Sequence, residues 1–267
     1  MAYLLARMLE FCVLGSGSGG NATLVRCGET VLMIDAGFSA MRIRQKLAMV
    51  GLGIQDLAGI LITHEHGDHI KGIHQLSKKH SLKVYGTRHT TRVVKEKAPD
   101  ALYVVAEKQS SFRIGEIVVT AFPVSHDAVD PVAYRFETEK SSLAYISDTG
   151  VVDKEMEEFL HGLDSLILES NYDPDMLQQT PKRPWPLKQR IASRWGHLSN
   201  EQANDVIKSI GHAKLNHLVL AHLSGESNTP DLALSMMQDT LTFLGLSDTV
   251  LMCAKQDEPL PWVSVTR

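Results

Sequence analysis

THEHGDHIKG (63–72) packs three histidines and an aspartate (His64, His66, Asp68 and His69) into six residues directly behind the apolar run GILIT (59–63). Imidazole and carboxylate together suit a borderline divalent ion such as zinc, and also manganese or iron. On a helical turn His64 and Asp68 stand four apart, and His66 and His69 three apart. The four groups therefore diverge, and they serve two adjacent ions more easily than one. A solvated loop that happens to hold histidines is the alternative, and the density argues against it.

Around this loop lie short apolar runs of strand character, bounded by Gly, Asp or Ser. They are FCVLG (11–15), ATLVRC (22–27), TVLMIDAG (30–37), GILITH (59–64), KVYG (83–86), EIVVTAFPV (116–124), VAYRFET (132–138) and SLAYISD (142–148). Helical patterns interleave at 39–51, after His69 and at 89–97, then at 153–162, 199–211 and 229–245. LDSLILESN (163–171) and NHLVLAHLS (216–224) read as strands ending in polar residues. This order predicts an α/β chain with two sheets between outer helices, without a linker or repeat.

GSGSGG (15–20) satisfies G-x-G-x-x-G behind a strand. A dinucleotide site needs a helix next, whose N-terminus holds the pyrophosphate. Here strand-like NATLVRC follows, so the stretch reads as a glycine-rich hairpin turn close to the active site.

THEHGDHIKG resembles the H-x-H-x-D-H signature of the metallo-β-lactamase superfamily, and further candidate residues follow in that family's order. Asp35 ends VLMIDAG, His126 lies in PVSHD, Asp148 in YISDTG and His222 in LVLAHLS, each behind an apolar strand. The resemblance spans nearly the whole chain and implies an αββα sandwich. It implies a first metal on His64, His66 and His126 and a second on Asp68, His69 and His222. Asp148 would bridge them, and Asp35 would lie beneath the loop. Two divalent ions, zinc or manganese with iron as a further option, would hold a nucleophilic hydroxide between them. Asp68 would orient that hydroxide and take its proton. Asp127 and Asp130 are candidates to support His126, and His74 is close enough in sequence to support the metal loop.

The substrate is read from the second half. ILESN (167–171) puts Glu169 at a strand end, and GHLSNEQA (196–203) places His197 just before a helix. Ser199 and Gln202 form a capping-box pattern there, and a helix start suits phosphate. The Glu169 and His197 pair resembles that of the transfer RNA 3′-processing phosphodiesterases, where such a pair protonates the leaving oxygen. GSGSGGNATLV (15–25) with LKQRIASRWGHLSNEQA (187–203) is similar to the YycJ/WalJ branch, which implies a DNA exonuclease acting from the 5′ end. Residues 1–7 would then be an N-terminal extension.

TPKRPWPLKQRIASRW (180–195) holds five cations, two tryptophans, three prolines and no acid. It is expected to form a basic lid within 173–196. Lys188, Arg190 and Arg194 would contact phosphates, and Trp185 would stack on a base. Basic residues between 78 and 97 would extend the track, though a charged helix face explains them equally.

Composition bounds the rest. The chain has 267 residues with 43% apolar, 22% charged and a net charge of −4, so any polyanion must meet a local basic patch. Cys12, Cys27 and Cys253 are an odd number at wide spacing, and no apolar run approaches the roughly 20 residues of a membrane span. Buried thiols in a cytoplasmic protein are expected, and a homodimer is compatible with the resemblance. Competing readings are a lactonase, thioesterase or cyclic phosphodiesterase on the same centre, and a metal-binding scaffold without chemistry.

Overall fold

The structure, a computed structural model, describes residues 8–265; the expected extension over 1–7 lies outside the described residues, as do 266 and 267. The first half of the chain builds β1 (Glu10–Gly15), β2 (Ala22–Cys27), β3 (Thr30–Ile34), β4 (Leu57–Leu61), β5 (Lys83–Gly86) and β6 (Leu102–Val105). A second sheet holds β7 (Ser111–Ile114), β8 (Ile117–Pro123), β9 (Val132–Glu137), β10 (Ser142–Ile146), β11 (Ser165–Glu169), β12 (His217–Ala221) and β13 (Val250–Cys253). The chain end returns as β14 (Val263–Ser264) to pair with β1, so each sheet has seven strands. Their orders are β14-β1-β2-β3-β4-β5-β6 and β13-β12-β11-β10-β9-β8-β7.

The central core lies between the sheets. Phe11, Val13, Leu32 and Ile34 of the first meet Val119, Tyr134, Phe136, Ile167 and Val219 of the second. Alternate residues point outward, as the two-residue period of a strand requires. On the first sheet Leu14, Met33, Ile60 and Val84 are covered by α1 (Ala40–Met49), α3 (Ile73–His80) and α4 (Arg88–Lys97), with the short α2 (Gly67–Ile70) between α1 and α3 in the chain. On the second, Leu166, Leu168, Leu218 and Leu220 pack under α5 (Lys154–Leu160), α8 (Asn200–Ile210) and α9 (Pro230–Phe243). Strands buried on both faces read as unbroken apolar runs, and each fully buried Leu or Ile contributes about 1.5–3 kcal/mol. This is the αββα sandwich anticipated from the sequence.

Four strands lacked a legible signal: β6, β7, β13 and β14 are short, and each carries at least one exposed residue beside a partly buried or buried one. GSGSGG joins the antiparallel β1 and β2, as a hairpin turn should. The segment expected to be a lid contains two short helices, α6 (Pro174–Gln179) and α7 (Trp185–Ile191). They pack on each other through Tyr172, Leu177, Leu187 and Ile191. Prolines 184 and 186 stand at the start of α7, where a missing N–H costs nothing. Cys12 and Cys27 are buried, and none of the three cysteines forms a disulfide. Among the described residues no helix is long and apolar enough to cross a membrane.

Candidate metal centre

The parallel strands of both sheets aim their carboxyl ends at one edge of the sandwich. Asp35 follows β3, His64 follows β4, Asp148 follows β10, Glu169 ends β11 and His222 follows β12. Asp35, Asp148 and His222 adopt left-handed backbone angles, with φ of 58°, 58° and 54°. Asp and His tolerate that region better than most side chains, and it turns each group sharply off its strand. Three such residues around one point store roughly 1–3 kcal/mol each, strain that characteristically gathers at functional sites.

One cluster gathers His64, His66 and His126, and another Asp68, His69 and His222. His66 Nδ1 is 3.0 Å from His64 Nε2 and 3.4 Å from His126 Nε2. Asp148 sits centrally: its Oδ2 is 3.2 Å from His69 Nε2, and its Oδ1 is 3.6 Å from His222 Nε2 and 3.9 Å from His126 Nε2.

The outer nitrogens of these rings are already committed. His69 Nδ1–H donates to Asp35 Oδ2 at 2.7 Å, and His126 Nδ1–H to the Gly196 carbonyl at 3.0 Å. His222 Nδ1–H donates to Glu169 Oε1 at 3.1 Å. His64 Nδ1 meets Thr63 Oγ1 at 3.0 Å, and that hydroxyl donates in turn to Asp35. Such contacts fix the tautomer and leave the opposite nitrogen as a lone-pair donor. His222 Nε2 is buried with no hydrogen-bond partner, a costly state unless a cation fills it. The donor set therefore fits divalent cations.

Electrostatics agree. Burial pushes His64 and His126 down, so they are neutral and ready to ligate. Burial opposes charge on His222 as well, yet Asp148, Asp68 and Glu169 push it up to about 10. Burial also works against the Asp68 carboxylate, but the neighbouring His222 and His69 imidazoles hold it well below the usual range. Cations entering the pocket would displace the protons these imidazoles hold.

Glu169 is fully buried and serves two rings at once. Its Oε1 accepts from His197 Nδ1 at 2.6 Å as well as from His222, while Oε2 accepts from the Thr149 amide at 2.9 Å. Sequence reasoning paired it with His197 alone. Two supporting groups were missed entirely. Ser16 Oγ accepts the His222 amide at 2.9 Å, and Asn21 Nδ2 lies 3.1 Å from His69 Nε2. Both belong to GSGSGGN, whose glycines drew attention away from its polar residues. Asn171 Nδ2 donates to the His222 carbonyl at 2.7 Å.

Other expected residues sit as follows. Asp127 Oδ1 is 3.3 Å from His126 Nε2, whereas Asp130 faces Lys108 and His89 and touches no clustered residue. Ser199 is buried, its hydroxyl accepting the Gln202 amide in the anticipated capping box. That hydroxyl is thus spent on the helix start. Lys188 donates to the Gln178 carbonyl, Arg190 pairs with Asp127 at 2.9 Å, and Arg194 lies over Trp195. Trp185 and Trp195 are 58% and 51% exposed. His74 lines a cavity together with Asp68.

Comparison with known proteins gives the same answer. Residues 30–223 match the model of the β-lactamase superfamily domain. The exodeoxyribonuclease YycJ of Bacillus anthracis is 37% identical over 84% of this chain and 86% of its own. The exodeoxyribonuclease WalJ of Streptococcus pneumoniae is 35% identical over 87% of this chain and 88% of its own. Among solved structures, the metallo-β-lactamase fold protein YhfI of Bacillus subtilis superposes with a TM-score of 0.73 at 18% identity, covering 95% of this chain and 99% of that one. With the matching domain model, the two relatives and the sandwich in agreement, the chain belongs to the metallo-β-lactamase superfamily of hydrolases, beside its YycJ and WalJ relatives.

Proposed function

We infer that the protein is a metal-dependent phosphodiesterase with a dinuclear centre, an exonuclease that shortens DNA from the 5′ end. The observation that carries the reading is the 2.6 Å contact between Glu169 Oε1 and His197 Nδ1 against Asp148 and His222. A hydrolase of a strained ring has little need for such a pair, whereas expulsion of a nucleotide oxygen does. The names of the YycJ and WalJ relatives support DNA as the substrate.

His64, His66 and His126 would hold one ion, Asp68, His69 and His222 the other, with Asp148 between. Such ions supply an acidified water and neutralise charge on phosphoryl oxygens. The protein's own groups do the rest. Asp68, held ionised, orients the attacking water and takes its proton. Glu169 fixes the His197 ring through Nδ1, leaving Nε2 to pass a proton to the departing oxygen. The same carboxylate holds His222, so the donor to the leaving group and the metal ligand share one buried anchor. On this reading the cations and tryptophans of 180–195 would cover the strand, from a segment tied to the centre where Arg190 pairs with Asp127 and the Gly196 carbonyl accepts from His126.

The test uses end-labelled single- and double-stranded oligonucleotides bearing a 5′-phosphate, incubated with protein reconstituted with manganese or zinc. Stepwise loss from the 5′ end by wild type, abolished in Asp68→Ala, is expected. Intact oligonucleotides beside rapid turnover of a lactone, thioester or cyclic nucleotide would replace this reading with the small-molecule one.

A further inference from the structure

Beside the metal centre, on the far side from His197, lies a cavity of about 400 Å³, within the roughly 300–1,000 Å³ of small-molecule sites. Gly67 and Asp68 are part of its wall, so the cavity adjoins the clustered residues through Asp68. Its floor is apolar, made by Ile70 with Val94 of α4 and Ala98 just beyond that helix. Its rim is cationic. Lys71 and Lys97 are exposed, and neither is paired with a carboxylate among the described residues; the Lys97 ammonium meets only the Glu65 carbonyl at 3.5 Å. His74 also lines it, with Nδ1 buried and lacking a hydrogen-bond partner. An apolar floor beneath two unpaired ammonium groups and an orphaned imidazole nitrogen matches a nucleotide, which offers a flat apolar base and a phosphate.

We propose that this cavity seats the first nucleotide of the DNA strand that is retained, with Lys71, Lys97 and His74 holding the next phosphate along. The assignment rests on the phosphodiesterase reading above and deepens it. In the hydrolysis the water oxygen joins phosphorus and the bond from phosphorus to the leaving oxygen breaks. The His197 proton goes to that oxygen. Clustered ligands separate His197 from the cavity: His197 stacks on His222 at 5.3 Å between ring centroids, and His222 Nε2 is 3.8 Å from Asp68 Oδ2. The nucleotide that leaves therefore lies by His197, and the one that keeps the phosphorus lies on the Asp68 side. Gripping the retained strand there holds its new 5′ end in reach for the following cut.

The experiment compares wild type with the Lys71→Ala/Lys97→Ala double variant on two substrates, a 5′-phosphorylated oligonucleotide and bis(4-nitrophenyl) phosphate. The small diester needs no nucleotide seat. Losing two phosphate contacts should raise the oligonucleotide KM about tenfold and flatten its salt dependence by about one to two in log–log slope. Hydrolysis of the small diester should stay within twofold. A neutral methylphosphonate at the linkage one nucleotide into the retained strand should weaken wild type about tenfold and the variant hardly at all. An unchanged KM and salt slope, or equal and independent losses from the two changes, would overturn the cavity assignment while leaving the nuclease reading intact. Wild type that turns over the small diester but leaves every oligonucleotide whole would instead sink the nuclease reading, and the seat with it.

Discussion

Glu169 carries more of the site than its place at the end of a strand suggests. Its one carboxylate accepts from His197 and His222 and receives the Thr149 amide. A neutral isostere at this position keeps the shape and removes the charge. Glu169→Gln should lower kcat about 10²-fold, within the usual range for losing a positioned proton donor. It should also weaken metal at the His222 cluster by about 10–100-fold, as losses of ligand-orienting partners do. Isothermal titration with manganese separates the two effects, and a kcat loss with unchanged metal affinity would limit Glu169 to His197. Asp35 predicts the complement. Asp35→Asn should weaken metal at the His69 cluster by about 10–100-fold while leaving the Glu169–His197 contact untouched, which the metal titration also reads. The candidate ligands were legible in the sequence because they crowd one loop or stand singly behind apolar runs. Ser16 and Asn21 were not, since their partners His222 and His69 lie 206 and 48 positions away. No local pattern marks a contact of that span.

At the scale of elements, the carboxyl ends of parallel strands do the positioning, as ligand sites in open sheets generally do. The paired strands were readable because burial on both faces leaves apolar runs broken abruptly by a polar residue. The edge strands were not readable, because one exposed side removes the pressure for apolar residues. Val263–Ser264 is too short to show any period. Packing is close where the turn after β3 meets α2. A Cβ on Gly37 would stand 1.6 Å from the Asp68 carbonyl oxygen. Gly37→Ala must push the metal loop away from the strand. It should cost about 3 kcal/mol or more, at the upper end of single-substitution effects, and lower metal occupancy with it. Denaturant unfolding of the chelated protein reads the first term alone, and a loss below about 1 kcal/mol would show that the loop yields easily. At the opposite extreme, Ser199→Ala removes only a cap and should cost about 1 kcal/mol. Because α8 follows His197 directly, its unfolding midpoint and the oligonucleotide kcat should fall together if that cap sets the ring's position.

Across the whole molecule, the two sheets contribute different halves of the centre. The first supplies the loop from His64 to His69, and the second supplies His126, Asp148, Glu169 and His222. Ions held by residues of both sheets would bind only the folded state and so stabilise it by mass action. At a free ion concentration 100 times the dissociation constant that gain is about 2.7 kcal/mol per site. Chelation should therefore lower Tm by several degrees, and readdition of zinc or manganese should restore it. A melting point indifferent to chelator would mean that the clusters hold no ion. Charge is likewise distributed by region. The net charge of −4 coexists with cations at 180–195 and at the rim formed by Lys71 and Lys97. Composition alone could show the first group, a contiguous run, but not the second, which folding assembles from two helical segments.

The bond from the His222 amide to Ser16 spans 206 positions, and it bears on how the protein matures. While a ribosome has made only the first 140 residues, the nascent chain carries the histidine-dense loop and His126, but neither Asp148 nor His222. Any ion captured then would sit in an open, incomplete set of donors and exchange freely with its surroundings. The centre closes only after the last third of the polypeptide has emerged and docked against the opening hairpin. An ion held by both clusters would therefore enter the finished fold rather than the nascent chain, and the ions free at that moment would set which one is bound.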